Sequence, residues 1–414
     1  MKRQFLGKFI SVNSLASILI ESFGTFMVSV ALTKFLDPTT RGEYSNFIAF
    51  IFLFGFIGTN VHNRAVYFSN STRNKNYLGI LLSSLIASTI VFSAAGVLVL
   101  SLVSRYSNNY LMLIFFGSIG TSLFTFISIN LSIQPNHKDL RRFISCVFSL
   151  QIISVILIAQ FKNKDISLIM YLLSIWIPIA LLISYLIRNK SLGKFRLSIP
   201  SIKFIKNNLF PRIPSLPIYL SIFDSLKLDL ILCNFFLGYL ATGNYVLATT
   251  FSVSLQFICK YISLLYFKEA SRKVRLQNKQ VRWKLFFIFL AFGLAAGIAL
   301  MFSLSFIFHN IFTNGYYINN LDFLLIWFGN LFYWGRRLIA DLTLHLQIDK
   351  WIGISELLGA VLFISLLSII NPNNLYDFSR IYTFSLLLPL IVIILVAIKT
   401  SSKLKNQFVQ SSTN

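Results

Sequence analysis

The chain contains 414 residues, of which 56% are hydrophobic and 12% are charged. Soluble domains carry roughly 25% charged residues, so this composition excludes a soluble fold and indicates a chain that lies mostly in the bilayer. The net charge is +24. Such an excess of positive charge can indicate a nucleic-acid partner. It can also arise when Lys and Arg are concentrated in the loops on one side of a membrane.

Apolar stretches of roughly 20 residues recur along the chain, and each is long enough to cross about 30 Å of hydrocarbon. A backbone in lipid must satisfy its own hydrogen bonds, and alternation at period two is absent, so these stretches are predicted to be helices. We therefore predict an all-α integral membrane protein with about twelve transmembrane helices. The predicted spans are 9–32, 44–61, 77–103, 110–133, 143–161, 168–187, 215–236, 245–267, 285–308, 321–346, 351–370 and 381–398.

Lys and Arg fall mostly on one predicted side of the membrane. Clusters such as residues 138–142 and 268–284 lie on that side. The opposite loops hold only six of these cations: Lys34, Arg41, Arg105, Lys162, Lys164 and Arg380. Under the positive-inside rule, this asymmetry predicts that both termini are cytoplasmic. The net charge then reflects membrane topology, and no nucleic-acid partner is predicted.

An internal repeat divides the chain into two halves. Residues 35–44 and 236–245 share the same spacing of Leu, Gly and Tyr, and each copy lies on an outer turn between two predicted spans. The two halves should therefore share one orientation and be related by an axis along the membrane normal. We predict two six-helix lobes, a cytoplasmic basic amphipathic linker between them and a cytoplasmic tail. Their ranges are 1–187, 215–400, 188–214 and 401–414.

The seventh predicted span contains three charged residues, each costing about 2.5 to 3.5 kcal/mol at a helix centre. On a continuous helix Asp224 and Lys227 share one face, whereas Asp229 is rotated about 200° from Lys227. One interpretation is an intrahelical ion pair with a separate structural anchor. The other is a substrate or proton site that faces a central cavity. The sequence leaves both open.

The tenth predicted span has a polar stripe formed by Arg337, Asp341 and His345. Asp341 can neutralise Arg337, but Arg336 lies about 100° away and has no obvious local partner. We expect Arg336 to face a hydrated cavity. A guanidinium stays charged and grips phosphate oxygens in bidentate fashion, so a diphosphate is the ligand that this span predicts.

Three further charged residues fall within predicted spans. Glu21 lies near the middle of the first span and is the best single candidate for a protonatable coupling group, the alternative being a purely structural ion pair. Lys260 and Glu356 lie within two turns of predicted cytoplasmic helix ends. We expect both to extend toward the interface, as long charged side chains do near helix ends.

Several kinds of chemistry lack support in the sequence. No Walker A motif occurs, the predicted outer loops are short, and no nucleophile with an adjacent base can be assembled. Cys146, Cys233 and Cys259 fall inside predicted helices without paired spacing, so neither a disulfide nor a metal or cofactor is expected. We predict a non-enzymatic secondary transporter, in which uphill transport draws on an ion gradient or on consumption of the cargo.

The two repeat copies also resemble a known family. The residues that carry this are 32–38 followed by Gly42, Glu43 and Tyr44, and 226–232 followed by 237–238 and 243–248. In these segments the chain resembles the Wzx-type polysaccharide and O-antigen unit flippases of the multidrug/oligosaccharidyl-lipid/polysaccharide (MOP) superfamily. Asp37 departs from the pattern, because such proteins often have Gly at that position.

The resemblance implies two lobes that open alternately to each side around a cationic cavity. The implied activity is translocation of polyprenyl-diphosphate-linked oligosaccharide from the cytoplasmic to the outer leaflet of a bacterial inner membrane. Membrane lipids, a polysaccharide polymerase and chain-length machinery are the other expected partners. With the charged residues above, the expected substrate-binding residues are Arg64, Lys227, Asp229, Arg336 and Arg337. The expected ion-coupling residues are Glu21, Asp224 and Asp341.

Three alternatives remain open at this stage. An ion-coupled multidrug or cation exporter of the MATE type would share the twelve-helix architecture but should favour an acidic, aromatic cavity. A membrane-embedded glycan enzyme would need a base or a nucleophile near one face. A non-transporting scaffold for glycan assembly would need neither a cavity nor a base.

Overall fold

The computed structural model describes residues 23–69, 75–103, 106–133, 138–188, 227–272, 283–310, 312, 315–343 and 348–412. These residues are almost entirely helical, and no strand occurs among them. The helices are α1 (described from Phe23 to Phe35), α2 (Pro38–Ser69), α3 (Lys75–Val103), α4 (Asn108–Ile133), α5 (Lys138–Phe161), α6 (Lys164–Arg188), α7 (Leu228–Phe251), α8 (Val253–Arg272), α9 (Trp283–Asn310), α10 (Asn320–Leu342), α11 (Asp349–Ile370) and α12 (Leu375–Ser412).

Eight helical stretches among the described residues are long and apolar enough to cross a membrane. One of them runs through α7 and α8 from Leu228 to Ser263. The tenth predicted span, now α10, is not among these eight, and it carries four ionisable side chains: Asp322, Arg336, Arg337 and Asp341. The prediction of an all-α membrane protein is confirmed.

The chain separates into two compact units. The N-terminal unit runs from residue 1 to Leu232 except for Asp37–Thr39, and the C-terminal unit contains Asp37–Thr39 and Cys233–Asn414. Apart from Arg188, which ends α6, the predicted linker 188–214 lies outside the described residues. The predicted lobe boundaries therefore stay a prediction.

In the N-terminal unit, α4 packs against α3 and α6, and α5 packs against α6. Its core contains Phe47, Ile51 and Ile114, all buried. The Ser122 hydroxyl of α4 donates a 2.6 Å hydrogen bond to the carbonyl oxygen of Gly55 in α2. A Cβ at Gly55 would lie 2.9 Å from the carbonyl oxygen of Ser118, so glycine is what allows α2 and α4 to approach this closely.

The first turns of α2, α4 and α6 are joined by polar contacts. Glu43 of α2 forms an ion pair with Lys164 of α6, and the Tyr110 hydroxyl of α4 donates a 2.7 Å hydrogen bond to Asp165 Oδ1 of α6. The side chains of Glu43 and Lys164 are about one-third exposed, 34% and 33% respectively. Exposed ion pairs contribute little to stability, so this group mainly orients the helix ends.

In the C-terminal unit, α10 is the central helix. It packs against α8, α9 and α12, while α11 packs against α12. Phe323, Trp327, Leu331 and Leu338 of α10 are fully enclosed. By contrast, α9 exposes a row of large apolar side chains, which suits a lipid-facing helix: Phe287, Ile288, Phe292, Phe302 and Phe306. Neighbouring helices, rather than lipid, therefore surround the polar side chains of α10.

The backbone of α7 is interrupted at Gly238, which has φ +80° and ψ −179°. Side chains rarely tolerate this conformation, so glycine is required there. The break separates the end of the predicted seventh span from the start of the eighth. The eighth span then continues through Ser252 into α8.

The repeat places Asp37 at the position equivalent to Gly238, and the two residues interrupt the helix in different ways. Asp37 lies between α1 and α2, where its Oδ1 accepts a 3.0 Å hydrogen bond from the backbone N–H of Thr39. Pro38 begins α2, which suits a position whose N–H has no partner in the helix. Aspartate thus caps a new helix in one copy, while glycine permits a positive φ in the other.

Candidate functional site

Two opposite charges are enclosed together inside the C-terminal unit. Arg336 of α10 forms an ion pair with Glu356 of α11, and their side chains are only 3% and 2% exposed. The expectation that Glu356 extends toward the interface is therefore wrong. Its carboxylate instead turns inward, because an enclosed guanidinium lies within reach on the neighbouring helix. Arg336, for which the sequence offered no local partner, has one across the helix interface.

Tyr333 lies one turn before Arg336 on α10 and orients its guanidinium. The guanidinium carbon lies 5.3 Å from the centre of the Tyr333 ring, a distance at which a cation is attracted to an aromatic face. The Tyr333 side chain is itself buried. The guanidinium is thus held by an aromatic ring of its own helix and by a carboxylate of another.

A second polar contact joins α10 to α8. The Ser263 hydroxyl donates a 2.6 Å hydrogen bond to Asp341 Oδ2. One turn earlier on α8, the Cys259 thiol lies 3.4 Å from the carbonyl oxygen of Trp334. Arg337 precedes Asp341 by one turn on α10 and is half-buried. Two residues of the predicted stripe therefore lie in α10, and the third, His345, lies outside the described residues.

Hydrogen bonds also join α10 to α12. The Tyr382 hydroxyl donates to Asn330 Oδ1 at 3.3 Å, and the Thr383 hydroxyl donates to the carbonyl oxygen of Leu325 at 2.6 Å. The polar groups of α10 are thus met by α12 in one half of the helix and by α8 and α11 near its C-terminal end. We take Arg336, Glu356, Tyr333, Asp341 and Ser263 as the candidate site and call them the α10 charge cluster.

The predicted geometry of the seventh span needs correction at Lys227. This residue has φ +50° and lies immediately before α7, and its carbonyl oxygen accepts hydrogen bonds from the N–H groups of Leu230 and Ile231. The angle between Lys227 and Asp229 was predicted for one continuous helix, and that assumption is wrong because the backbone leaves the helical region. Asp229 lies in the first turn of α7 and is buried, where a carboxylate complements the positive end of the helix dipole.

The remaining predicted residues stay predictions. Arg64 lies in α2, but its side chain is outside the described part of the structure. Glu21 and Asp224 are outside the described residues altogether. Lys227 and Asp229 fall in the N-terminal unit and the α10 charge cluster in the C-terminal unit.

The described residues form neither a metal-binding site nor a disulfide. They contain no group of three or more His, Cys, Asp or Glu side chains placed to hold a metal ion. Cys146, Cys233 and Cys259 are free thiols.

Glu356, Tyr333 and Ser263 were not predicted from the sequence to be members of the site. A signal for Glu356 appears only with the observed helix ends, which place Arg336 six residues before the end of α10 and Glu356 seven residues after the start of α11. Two consecutive antiparallel helices bring such positions to the same depth. Opposite charges at equal distances from one connecting loop therefore predict a pair. Nothing local distinguished Ser263 or Tyr333 from other polar residues in apolar helices.

The comparisons with known proteins address the fold. No protein-family model matches the chain, and no curated protein matches it. The solved structures include a multidrug resistance MATE family transporter of the MOP superfamily, in its inward-facing conformation, with a TM-score of 0.64 and 11% sequence identity. The similarity covers 96% of this chain and 99% of that one.

Two further solved structures are similar over nearly their whole length. A MATE protein in a bent conformation has a TM-score of 0.54 at 12% identity and covers 98% of both chains. A Vibrio cholerae MATE transporter has a TM-score of 0.50 at 12% identity, covering 97% of this chain and 98% of its own. Identities this low support a statement about fold alone. The chain therefore has the fold of the MATE family transporters of the MOP superfamily.

Proposed function

We propose that this protein is a flippase that moves polyprenyl-diphosphate-linked oligosaccharide repeat units, of the O-antigen or capsule type, from the cytoplasmic to the outer leaflet. The movement would be alternating access, in which one lobe rocks against the other around a site near the bilayer midplane. The observation that carries the proposal is the pair of consecutive arginines in α10, of which Arg336 is enclosed within a helical unit of transporter fold.

Arginine suits an anionic cargo better than a cationic one. The guanidinium of Arg336 is always protonated. Within the C-terminal unit, the carboxylate of Glu356 balances its positive charge. A diphosphate presents several oxygens to such a planar donor, and charge-assisted bidentate hydrogen bonds are among the strongest that proteins form. An organic cation, in contrast, cannot accept hydrogen bonds from a guanidinium, whose charge has the same sign. We therefore place the diphosphate at Arg336 and Arg337 and the polyprenyl chain in lipid.

The other predicted residues complete the proposal. Arg64, Lys227 and Asp229 are proposed to contact the cargo along its path. Glu21, Asp224 and Asp341 are proposed to couple its movement to an ion gradient, since the sequence contains no Walker A motif through which ATP would drive transport. The proposed location is a bacterial inner membrane, with a polysaccharide polymerase and chain-length machinery as proposed partners.

The test is to delete the gene and extract the lipids of the cell. We expect polyprenyl-diphosphate-linked oligosaccharide to accumulate on the cytoplasmic leaflet while the matching surface polysaccharide disappears. Mass spectrometry of the accumulated lipid would identify the cargo. An intact surface polysaccharide without accumulation would contradict the proposal.

A complementation experiment tests the residue assignment separately. Expression of the Arg336→Ala variant in the deletion strain, at wild-type protein levels, should fail to restore the surface polysaccharide. The matched control is Glu43→Gln, which neutralises a partly exposed, ion-paired carboxylate in the N-terminal unit and should restore it. Full restoration by Arg336→Ala would remove Arg336 from the site.

A MATE-type multidrug exporter is the second candidate, favoured by one observation. The similar structure with a TM-score of 0.64 is a multidrug resistance transporter. Under this alternative the deletion strain would keep its surface polysaccharide and become sensitive to cationic drugs, and the arginines of α10 would be structural. The deletion experiment therefore separates the two functions.

A further inference from the structure

Arg336 carries a full positive charge inside the C-terminal unit, and the charge that neutralises it comes from a different helix. Glu356 belongs to α11, which packs mainly against α12. Asp341, the other carboxylate of the α10 charge cluster, belongs to α10 itself and accepts the Ser263 hydrogen bond from α8. The two carboxylates thus differ in how freely each can move relative to the arginines.

We propose that Glu356 is an internal competitor of the substrate: its carboxylate occupies the Arg336 guanidinium until a diphosphate takes its place. This inference rests on the proposed function, because it assigns the same arginine to the cargo. It adds that Arg336 binds either Glu356 or the diphosphate, but not both at once.

The chemistry of the two partners supports such an exchange. A carboxylate and a phosphate group both present two oxygens to the planar fork of a guanidinium, so each can satisfy the same donors. Tyr333 holds the guanidinium from its own helix at 5.3 Å. That contact does not depend on α11, so Arg336 keeps its orientation when Glu356 leaves.

The location of Glu356 on α11 supports the exchange as well. A shift of α11 relative to α10 separates Glu356 from Arg336 without disturbing the hydrogen bond between Ser263 and Asp341. An enclosed arginine without a counter-charge is strongly unfavourable, so such a shift requires an incoming anion. Binding of a diphosphate and movement of α11 would then be coupled.

A stabilising role alone is a weaker explanation for this pair. Buried ion pairs are often replaced by apolar residues with no loss of stability, because removing both charges from water costs about as much as their attraction returns. Charged residues within membrane-spanning helices are retained chiefly where they act on a substrate or an ion. The pair is therefore best explained by an anionic substrate that binds Arg336 in place of Glu356.

Competition predicts that removing the Glu356 charge strengthens anion binding. The apparent dissociation constant equals the intrinsic one divided by the fraction of protein in which Arg336 is available. Glu356→Gln keeps the size of the side chain but lacks its charge, which raises that fraction. We expect farnesyl diphosphate to bind the Glu356→Gln variant about tenfold or more tightly than the wild type.

The experiment uses the full chain purified into nanodiscs of zwitterionic lipid, with farnesyl diphosphate titrated by calorimetry. The control is again Glu43→Gln, whose affinity should equal that of the wild type. Because Arg336→Ala leaves an enclosed carboxylate uncompensated and can impair folding, the second variant is Arg336→Gln combined with Glu356→Gln. This pair of neutral side chains leaves no charge uncompensated and should lose the gain in affinity.

Each outcome decides the inference. Tighter binding by Glu356→Gln that the double variant loses supports competition at Arg336. Equal affinities of the wild type and Glu356→Gln overturn it and leave the diphosphate site and the flippase proposal standing if the double variant binds more weakly. Failure of all variants to bind also overturns it, and the lipid analysis of the deletion strain then judges the flippase proposal independently.

Two further arms identify the source of the phosphate. Inorganic pyrophosphate presents a diphosphate without the lipid chain and should show the same ratio between variant and wild type at lower affinity. Nanodiscs containing phosphatidylglycerol supply an anionic headgroup instead. If that headgroup abolishes the difference between Glu356→Gln and the wild type, the anion that replaces Glu356 at Arg336 is an ordinary membrane lipid. The diphosphate assignment is then overturned.

Discussion

Arg336 and Glu356 lie in an enclosed environment where either charge alone is far more costly than the two together. Their side chains are 3% and 2% exposed, so neither can recover hydration when its partner is removed. The energetic consequence is asymmetric, because losing one partner costs much more than losing both. This asymmetry is measurable.

We predict that the single variants Arg336→Met and Glu356→Met each lower the free energy of unfolding by about 3 to 5 kcal/mol. The double variant should be less destabilised than either single variant, because no charge is left without its partner. Thermal or denaturant unfolding of the purified protein in detergent measures the cycle. Additive losses in the double variant would show that the two charges do not interact.

Asp341 accepts a hydrogen bond from the Ser263 hydroxyl of α8. We predict that Ser263→Ala lowers the free energy of unfolding by about 1.5 to 3 kcal/mol, because the 2.6 Å hydrogen bond to a half-buried carboxylate is lost. The control is Ser303→Ala in α9, where the exposed hydroxyl donates only to the carbonyl oxygen of Ala299 on its own helix. Equal stability of the two variants would contradict the importance of the α8 contact.

At the scale of helices, α10 shows why a polar segment can belong to a membrane protein. Fourteen of its 23 residues are buried, Asp322 and Arg336 among them. Its neighbours α8, α11 and α12 supply the partners for Asp341, Arg336 and Asn330. A helix surrounded by other helices does not need an apolar face toward lipid, whereas α9 has one.

The interruptions between helices are set by single residues. We predict that Gly238→Ala destabilises the protein by about 1 kcal/mol or more, because its backbone has φ +80° and ψ −179°. Gly335→Ala in α10 is the opposite case, since Gly335 is helical and an added Cβ would meet other atoms no closer than 3.5 Å. That variant should be neutral or slightly stabilising.

Unfolding measurements on the two glycine variants provide the check. A destabilised Gly238→Ala together with an unchanged or stabilised Gly335→Ala would agree with the backbone geometry. Similar effects of both substitutions would mean that the backbone conformation at position 238 does not require glycine.

For the whole molecule, the distribution of Lys and Arg predicts which ends of the helices face the cytoplasm. In a Cys146→Ser background, Lys162→Cys should react with a membrane-impermeant maleimide added to intact cells, because residue 162 lies in a predicted outer loop and is exposed. Asn278→Cys, within the predicted cytoplasmic segment 268–284, should react only after permeabilisation. The two remaining cysteines, Cys233 and Cys259, are buried.

The reverse labelling pattern would show that both termini face outward. Labelling of both positions in intact cells would place residue 278 outside, which the excess of cations in that segment opposes. Either result would require the proposed direction of transport to be reconsidered.

The membrane class and the helical secondary structure could be predicted from the sequence, because they follow from local length, hydropathy and turn chemistry. Asp37 and Gly238, for example, act through their own backbone and nearest neighbours. The superfamily fold expected from the repeat segments also agrees with the similar solved structures. Properties of this kind need no information about which helix packs against which.

The partners of the charged residues depend on helix packing and could not be predicted from the sequence. Glu356 lies near a helix end and by sequence should reach water, yet the packing of the C-terminal unit places it against Arg336. Lys227 likewise has a positive φ inside a stretch that hydropathy predicted to be one continuous helix. A buried charge is stabilised by groups that are distant in sequence, and helix packing alone determines which of them come close.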